Sequence, residues 1–454
     1  MDSLPSSLLY YTSQIANFTR NTVKVNSLNQ TTLSSNGVSQ IRLALPVNSV
    51  LNMKSLSMHG KVSTTNTSAA SEAAVLIPRG GIGALLDRVT WSAGGIALDN
   101  GPVPYHVISA LKSNLEKSND KNMSDDRVLQ QAEIQDKGSS VNPSNAKGQQ
   151  KHLIQNNFLG FTECHPAYLD MSLLPECFMT IQCAQASVCP LQSTVTGSNL
   201  GDAVLAGNVG TPAYSIDDIF FTVEVCQIGS GMYDALTQRL LMERGSVDVP
   251  YPQYQVFSTN QSSGVGDVRG SVSCMSLDRI YAVARNNNST GADSKTPVGF
   301  SHSQAPVEVQ DTCGAKYQQQ AVNFAAFDTS NWKFQLNNAP MPLYNPDAVD
   351  AYNFAVCAED RTYSANRGSL VHSQAAWLNN KWCACQRLNL DNDPTRLSGV
   401  NLSSINAQIV YSPTGGNSSP SPGVPSPGGV QMMLITKQTS VLRIGQSRAC
   451  AVVA

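Results

Sequence analysis

Charge is scarce in this sequence. Of its 454 residues, 14% are Asp, Glu, Lys or Arg, whereas about a quarter is usual in globular proteins. The 30 basic and 32 acidic residues give a formal net charge of -2, and Arg20 and Lys24 are the only Lys or Arg before residue 31. Affinity for nucleic acid comes mainly from Lys and Arg on phosphates. The balance therefore argues against direct, sequence-specific binding of nucleic acid.

Long apolar runs and closely paired cysteines are also missing. No stretch approaches the roughly 18 apolar residues of a transmembrane helix, and the first residues lack the basic and apolar segments of a signal peptide. The eleven cysteines form no CxxC pair. Four of them lie in apolar runs, where cysteine behaves as a small hydrophobe: Cys177, Cys183, Cys226 and Cys357. We therefore expect reduced core cysteines in a protein that is not secreted, with its nine N-x-S/T sequons unused.

Enzyme motifs are absent as well. The stretch Gly80–Gly83 invites a dinucleotide-binding interpretation, but position 86 is Leu86 instead of the third glycine, and Pro78 interrupts the preceding strand. A turn between strands is the simpler interpretation. The acid pairs Asp125-Asp126 and Asp217-Asp218 are sequence neighbours and lack the two-wall geometry of a glycosidase. We predict no catalytic residue, no cofactor and no enzymatic activity.

Two groupings resemble metal ligands, Cys164-His165 with Cys177 and Cys383-x-Cys385. Structural zinc sites draw two ligands from one turn, as in CxxC, and neither grouping has that spacing. Both sulfurs of a Cys-x-Cys in a strand point to one face, as they would in a buried face. We therefore predict no metal site. The aromatic pairs Tyr10-Tyr11 and Phe220-Phe221 are interpreted as packing, since no basic residues alternate with them.

The sequence does contain many short alternating runs separated by Gly, Pro, Asn and Ser. In Ile219–Ile228, Phe221, Val223 and Val225 fall on one face, and the residues between them fall on the other, which predicts a half-buried strand. Strands at turn-length spacing are typical of sandwiches and barrels. Similar runs are Ile41–Val50, Leu56–Val62, Phe178–Cys183, Ile280–Arg285, Asn331–Leu336, Ile405–Tyr411 and Val430–Thr436.

Helices are few, and two segments differ in composition from the rest. Periodicity predicts helices over Tyr105–Leu115, over Met232–Arg244 with Gly245 after its end, and over Pro346–Ala358 with Asn345 as N-cap. The charged stretch Lys112–Lys137 and the polar stretch after it, to Lys151, predict an insertion. The Pro/Gly/Ser-rich stretch Ser412–Gly429 predicts an exposed loop at a hairpin tip that cannot pair in a sheet.

The order of elements repeats along the chain. Val89–Trp91 precedes an N-x-P-x-P stretch from Asn100 and a helix, and Asn331–Leu336 precedes a second such stretch, from Asn338, and another helix. Leu56–Val62 matches Ile280–Arg285, and each half ends in a pair of strands. This order predicts two β-domains of the same kind, joined by the helix Met232–Arg244 and a turn at Val249–Pro252.

In this order the sequence resembles the double jelly-roll major capsid proteins of icosahedral double-stranded DNA viruses, such as those of large algal and amoebal viruses, virophages and polinton-like viruses. The resemblance spans nearly the whole chain and is one of pattern. Four places carry it: Ile41–Leu43 leading into Leu45–Val50; Tyr214–Val225 followed by Tyr233–Leu241 and Val249–Tyr254; Trp332–Asn338 with Pro340 and Pro342; and Leu397–Leu402 through Val410, then Val430–Ile444. A basic N-terminal segment, which some members carry, is not evident.

The resemblance implies an all-β fold of two tandem eight-stranded jelly rolls with a few short helices. It implies an N-terminal arm over 1–20, a first roll over 21–230 with an insertion at about 112–151, a connecting helix and crossover over 231–250, and a second roll over 251–454 with the loop 412–429. It further implies a homotrimeric, pseudo-hexagonal capsomer that tiles an icosahedral shell.

The same resemblance implies the partners and the location. The partners would be further copies of the chain, neighbouring capsomers, and minor capsid or penton proteins. An internal membrane could lie beneath the shell, but this chain would not span it. The location would be the virion capsid, assembled in the cytoplasm or nucleus of the host cell. Two alternatives stay open: a minor capsid protein on the same fold, and a non-viral two-domain β-sandwich that binds carbohydrate.

Overall fold

Strands form most of the molecule. We analysed a computed structural model, which describes residues 18–37, 39–66, 73–75, 77, 81–99, 103–116, 151–189, 191–193, 212–228, 238–239, 241–261, 266–286, 324, 326, 329–358, 382–391, 396–415 and 430–453. The strands before residue 230 are β1 (Phe18–Val25), β2 (Leu33–Ser34), β3 (Gln40–Ala44), β4 (Val50–Asn66), β5 (Ala73–Val75), β6 (Leu86–Ala93), β7 (Ile96–Ala97), β8 (Lys151–Gln155), β9 (Tyr168–Asp170), β10 (Cys177–Cys183), β11 (Leu191–Ser193) and β12 (Pro212–Ile228).

The remaining strands and the helices follow the same order of parts. The strands are β13 (Ser246–Gln261), β14 (Val268–Val272), β15 (Leu277–Asn286), β16 (Asn331–Leu336), β17 (Ala339–Met341), β18 (Ala384–Arg387), β19 (Ala407–Thr414), β20 (Val430–Gly445) and β21 (Cys450–Val453). Three helices are labelled α1 (Ile82–Leu85), α2 (Tyr105–Glu116) and α3 (Asp350–Ala358), and a further helical stretch at 238–239 and 241–244 lies between the rolls.

Both halves of the chain build the same pair of antiparallel sheets. In the first half one sheet has the order β1-β12-β4-β8, extended by β2 and β9, and the other has the order β3-β10-β6-β7. In the second half the orders are β13-β20-β15-β18, extended by β21, and β14-β19-β16-β17. Strand by strand the two halves correspond, and the order is that of an eight-stranded jelly roll. The predicted all-β fold of two tandem jelly rolls is confirmed, and we call the halves the first roll and the second roll.

Alternation of apolar residues explains how each sheet faces its core. In β10, Cys177, Met179, Ile181 and Cys183 are buried, while the residues between them are partly or fully exposed. The neighbouring strand β3 buries Ile41 and Leu43 in register with β10. One face of each strand therefore packs into the sandwich and the other does not, as a period of two requires.

The connections between strands leave each roll at alternate ends because all neighbouring strands are antiparallel. The links β3–β4 and β6–β7 are short, at residues 45–49 and 94–95, and lie at one end. The links β1–β3, β4–β6, β7–β8 and β10–β12 lie at the opposite end, which we call the loop end, together with their counterparts in the second roll. Of the predicted insertion, Lys112–Glu116 belong to α2 and 117–150 lie outside the described residues.

The loop 412–429 also connects strands at the loop end, but two predictions about it are wrong. Residues 412–414 pair in a sheet with β16, although we expected no pairing there. The strands on either side, β19 and β20, belong to different sheets, so the segment crosses between sheets and is not a hairpin tip. Residues 416–429 lie outside the described residues.

The predicted repeat is confirmed in its element order but not in its motif. Gly94-Gly95 form the turn between β6 and β7, and Asn337-Asn338 form the equivalent turn between β16 and β17, all with positive φ. Asn338 therefore lies in a turn, whereas the first stretch comes after β7 in the chain, and its residues 100–102 lie outside the described residues. The two N-x-P-x-P stretches are not equivalent, because the match fell on Asn and Pro residues that are common in this chain.

The predicted helices occur with altered boundaries. The helix from Tyr105 is confirmed. Of Met232–Arg244, the described residues 238–239 and 241–244 are helical, and Gly245 ends the helix as predicted, with φ 73° and an N–H that donates to the Leu241 carbonyl. The third helix begins later than predicted. Asp347 and not Asn345 is its cap, since Asp347 and Asp350 each accept the other's backbone N–H.

Three further expectations need correction. The run Ile41–Val50 is divided between β3 and β4. The predicted turn at Val249–Pro252 is wrong, since these residues lie inside β13 and pair with β20; proline is tolerated there because β13 is an edge strand. Cys357 is exposed, while eight of the ten described cysteines are buried. The N-terminal arm and the domain boundaries stay predictions, although β1 and β13 begin at Phe18 and Ser246.

Candidate functional site: the seam between the rolls

The residues that we considered for chemistry are dispersed in the structure. Among the described residues, no three His, Cys, Asp or Glu side chains lie close enough to hold a metal ion. Cys164 and Cys177 are buried, their thiols face the carbonyls of Pro166 and Pro175, and burial raises the pKa of each to about 12. Cys383 and Cys385 lie in the core of the second roll. A thiol held protonated in this way is a poor nucleophile and a poor metal ligand.

Two of the other three sequence candidates also have structural roles, and the third, Asp125-Asp126, lies outside the described residues. Gly81 precedes the short helix α1 between β5 and β6, with φ 56°. Asp218 sits at an irregularity in the pairing of β12 with β4, has φ 51°, and forms an ion pair with Lys61 at 2.6 Å. That ion pair lowers the pKa of Asp218. Within the described part of the chain, no helix combines the length and apolar character needed to cross a membrane.

The buried polar groups that do converge lie where the first roll meets β13 of the second. The Tyr251 hydroxyl donates to the Leu98 carbonyl at 2.7 Å, and the Gln253 amide donates to the same carbonyl and to the Tyr251 oxygen. The Gln253 carbonyl oxygen accepts from Gln438 at 3.1 Å and from Ser440 at 2.9 Å. Through one side chain, Gln253 of β13 therefore links the first roll to β20 of the second roll.

Aromatic packing completes this part of the seam. Phe161, in the segment after β8, contacts Trp91 of β6 with ring centroids 5.8 Å apart and Tyr251 of β13 at 5.9 Å in an edge-on arrangement. The His165 backbone N–H donates to the Pro250 carbonyl at 2.9 Å, on the free edge of β13. All three aromatic rings are essentially inaccessible to solvent. The seam thus has an apolar centre with the hydrogen-bonded side chains of Tyr251 and Gln253 beside it.

Asp99 is a titratable group of this seam. It follows Leu98, and its carboxylate accepts the Trp91 backbone N–H at 2.7 Å. Burial raises its pKa to about 6, although that hydrogen bond favours the ionised form. A carboxyl in this position changes charge near neutral pH.

Nearer the loop end, a polar pocket of about 430 Å³ lies between the rolls. The first roll contributes Asp87 and His106, and the second contributes Arg285 and Gln431. Arg285 donates to Gln431 at 2.8 Å and to Nε2 of His106 at 3.1 Å. A guanidinium only donates, so His106 accepts at Nε2 and carries its proton on Nδ1, which lies 3.8 Å from Asp87.

Burial controls protonation in this pocket. It lowers the pKa of His106 to about 3, assisted by the Arg285 charge, and lowers the pKa of Arg285 to about 10. It also raises the pKa of Asp87, which the nearby guanidinium groups partly offset. At neutral pH the histidine is therefore neutral and the guanidinium charged.

The positions of the pocket residues in their strands also show how the two rolls are oriented. Asp87 is at the start of β6 and Gln182 is at the end of β10, both at the loop end of the first roll. Arg285 is at the end of β15 and Gln431 is at the start of β20, both at the loop end of the second. The rolls therefore stand side by side with their loop ends pointing the same way.

Sequence reasoning did not identify the seam residues. Arg285 appeared only as the last residue of a predicted strand, and His106 only as a residue of a predicted helix. Gln253 lay next to a predicted turn. A signal was present in Ile280–Arg285, because a strand that is apolar throughout ends in an arginine, and such an arginine needs a partner if it is buried.

The chain resembles known proteins in structure and not in sequence. No model of a known protein family matches the chain, and no curated protein matches it by sequence. Solved structures do match. VP54 of PBCV-1, fitted into a reconstruction of the virophage Sputnik, superposes with a TM-score of 0.59 at 13% identity, over 99% of this chain and 100% of that chain.

Two further structures agree. The Sputnik virophage structure at 3.5 Å matches with a TM-score of 0.60 at 10% identity, over 100% of this chain and 92% of that chain. The Faustovirus major capsid protein matches with a TM-score of 0.57 at 12% identity, over 98% and 93%. Identities this low establish the fold alone. The resemblance found in the sequence is confirmed at that level: the chain has the double jelly-roll fold of viral major capsid proteins.

Proposed function

We propose that this chain is a structural virion protein, the major capsid subunit, which forms homotrimeric, pseudo-hexagonal capsomers that tile an icosahedral shell. The observation that carries the proposal is the repetition of one eight-stranded order in two rolls that stand side by side. A chain with two near-equivalent rolls places six of them around a threefold axis. Six similar rolls around this axis form a hexagonal capsomer, and hexagons cover a flat face of an icosahedral shell without gaps.

The composition supports the same proposal. A near-zero net charge lets many copies pack closely without mutual repulsion. The seam residues hold the two rolls together as one rigid tile. The proposed location is the virion capsid, and the proposed partners are further copies, neighbouring capsomers, and minor capsid or penton proteins. The proposed division of the chain is the arm 1–20, the first roll, the link 231–250 and the second roll.

Light scattering after size exclusion tests the trimer. We expect a species of about 146 kDa, three times the 48.5 kDa of the chain, that persists on dilution and appears hexagonal in projection by electron microscopy. A monomer of 48.5 kDa at all concentrations contradicts the proposal. In purified particles the chain should form most of the protein mass, and a small fraction would indicate a minor capsid protein instead.

A further inference from the structure

The two rolls contain the same edge strand in very different surroundings. In the second roll this strand is β13, which buries Val249, Tyr251, Gln253 and Tyr254. In the first roll it is β1, where every side chain from Thr19 to Lys24 is exposed. Both strands lie at the end of their sheets, next to β20 and β12 respectively. An exposed edge strand presents unpaired backbone groups to any partner, and proteins usually cover it.

Two segments of the first roll cover β13 within the chain. The segment directly after β7 supplies the Leu98 carbonyl that Tyr251 and Gln253 reach. The segment after β8 supplies Phe161, which packs on Tyr251, and His165, which binds the Pro250 carbonyl. In each case the residues that cover the edge strand β13 directly follow a strand of the first roll, either β7 or β8.

The equivalent segments of the second roll carry apolar side chains in solvent. After β17, the counterpart of β7, Leu343 is 92% exposed and Tyr344 is 56% exposed. After β18, the counterpart of β8, Leu390 is 89% exposed. Leu343 and Leu390 are the most exposed large apolar residues of the described chain. Single exposed apolar residues are common on protein surfaces, but these occupy the two segments that make the seam in the other roll.

The surface beside β1 can receive such side chains. Val23 is 38% exposed on β1 itself. Beside the following residue, Lys24, lies an open pocket of about 390 Å³ that is also lined by Lys61, His152 and Phe220. The Phe220 ring lies under the Lys24 ammonium, 4.3 Å from it, and stacks on His59 with centroids 4.6 Å apart. The pocket therefore has an aromatic floor and a polar rim.

We propose that the second roll of one copy covers β1 of a neighbouring copy, through Leu343, Tyr344 and Leu390, as the first roll covers β13 within each chain. This inference rests on the proposed trimer and names its contact. The contact is head-to-tail, because a surface of the second roll meets a different surface of the first. Head-to-tail contacts form closed rings when the rotation between copies closes, and each roll then covers the edge strand of the next.

The test compares Leu343→Asp and Leu390→Asp with Met242→Asp as a matched control. Met242 is also a large apolar residue, 76% exposed, but it lies on the helix between the rolls and outside the proposed contact. Substitutions at such exposed positions leave folding intact, which circular dichroism and the melting temperature verify. We measure the molecular mass of each protein in solution as a function of protein concentration. We also measure hydrogen exchange in a peptide that spans β1.

The expected result is that wild type and Met242→Asp form the trimer with a protected β1. Leu343→Asp and Leu390→Asp should each raise the concentration at half-dissociation by at least about tenfold and speed exchange in β1 under conditions where they dissociate. A wild-type trimer whose stability and β1 exchange are unchanged by both substitutions overturns this contact and leaves the proposed function standing. A wild-type monomer at all concentrations overturns both.

Discussion

Single buried polar side chains form the hydrogen bonds where the two rolls meet. Gln253 donates across the seam from its amide nitrogen and accepts at its amide oxygen from Gln438 of its own roll, and the Arg285 guanidinium donates to His106 and to Gln431. A buried polar group that loses its partner costs the full desolvation of the remaining group. We therefore expect such residues to be intolerant of substitution for structural reasons.

Asp99 gives the seam a pH dependence whose sign follows from its pKa. Burial raises that pKa from 3.8 to about 6 in the folded state, so the folded protein holds the proton more tightly than the unfolded chain. The stabilisation is full below pH 3.8 and is lost as pH rises to about 6. Between pH 5 and 7.5 the free energy of unfolding should fall by about 1 kcal/mol more in wild type than in Asp99→Asn.

Urea unfolding of both proteins at several pH values measures this difference. Asparagine keeps an acceptor for the Trp91 N–H but does not titrate, so it isolates the carboxyl. If the stabilities of wild type and Asp99→Asn change in parallel between pH 5 and 7.5, Asp99 does not titrate as proposed.

Among the elements, the hairpins β6–β7 and β16–β17 show how one shape arises from two sequences. Both turns have two central residues with positive φ, Gly94-Gly95 with 56° and 85° and Asn337-Asn338 with 48° and 69°. Gly and Asn are the residues that best tolerate this region, and two-residue hairpins favour it because its twist suits the strands. The two turns share their backbone geometry but not their residue types, so a comparison of the two sequence segments does not detect the equivalence.

Substitution of Asn338 tests that geometry. Asn338→Val should destabilise the protein by about 1–2 kcal/mol, since a β-branched residue is strained at positive φ. Asn338→Gly should leave stability within about 0.5 kcal/mol of wild type. Thermal unfolding of the two variants supplies the comparison, and equal melting temperatures for Val and Gly would contradict the assigned turn.

Strand boundaries show the limit of pattern reading at this scale. The alternation alone predicted Val430–Thr436, whereas the resemblance extended the closing strand to Ile444, and β20 runs to Gly445. Its second part buries Gln438 and Ser440, which face Gln253 in the seam, and buried polar residues interrupt the apolar alternation. β13 was missed for a related reason, because Pro250 and Pro252 indicate a turn unless the strand is known to be at an edge.

At the scale of the whole molecule, the seam makes two similar domains into one unit. The residues of both rolls belong to one continuous buried cluster, and Phe161 and Tyr251 connect them at its centre. We therefore expect the rolls to unfold in a single cooperative transition in calorimetry, and not as two independent domains.

Gln253→Leu tests this coupling. The substitution leaves Gln438 and Ser440 facing an apolar side chain, so stability should fall by about 2–4 kcal/mol. The control is Gln408→Leu on β19, whose side chain is exposed and whose loss should matter little. A destabilisation by Gln253→Leu no larger than that of Gln408→Leu would show that the seam contributes little to the fold.

The architecture could be predicted from the residues alone, because alternation of apolar residues depends on neighbours along the chain. Ile219–Ile228, Phe178–Cys183 and Asn331–Leu336 are strands as predicted, and their order was enough to indicate two rolls of one kind. The seam was decided only in three dimensions. Leu98 and Gln253, or His106 and Arg285, are more than 150 residues apart, and no local pattern links them. Their meeting depends on how two finished sandwiches pack, which is set by the whole surface of each roll and not by any single segment.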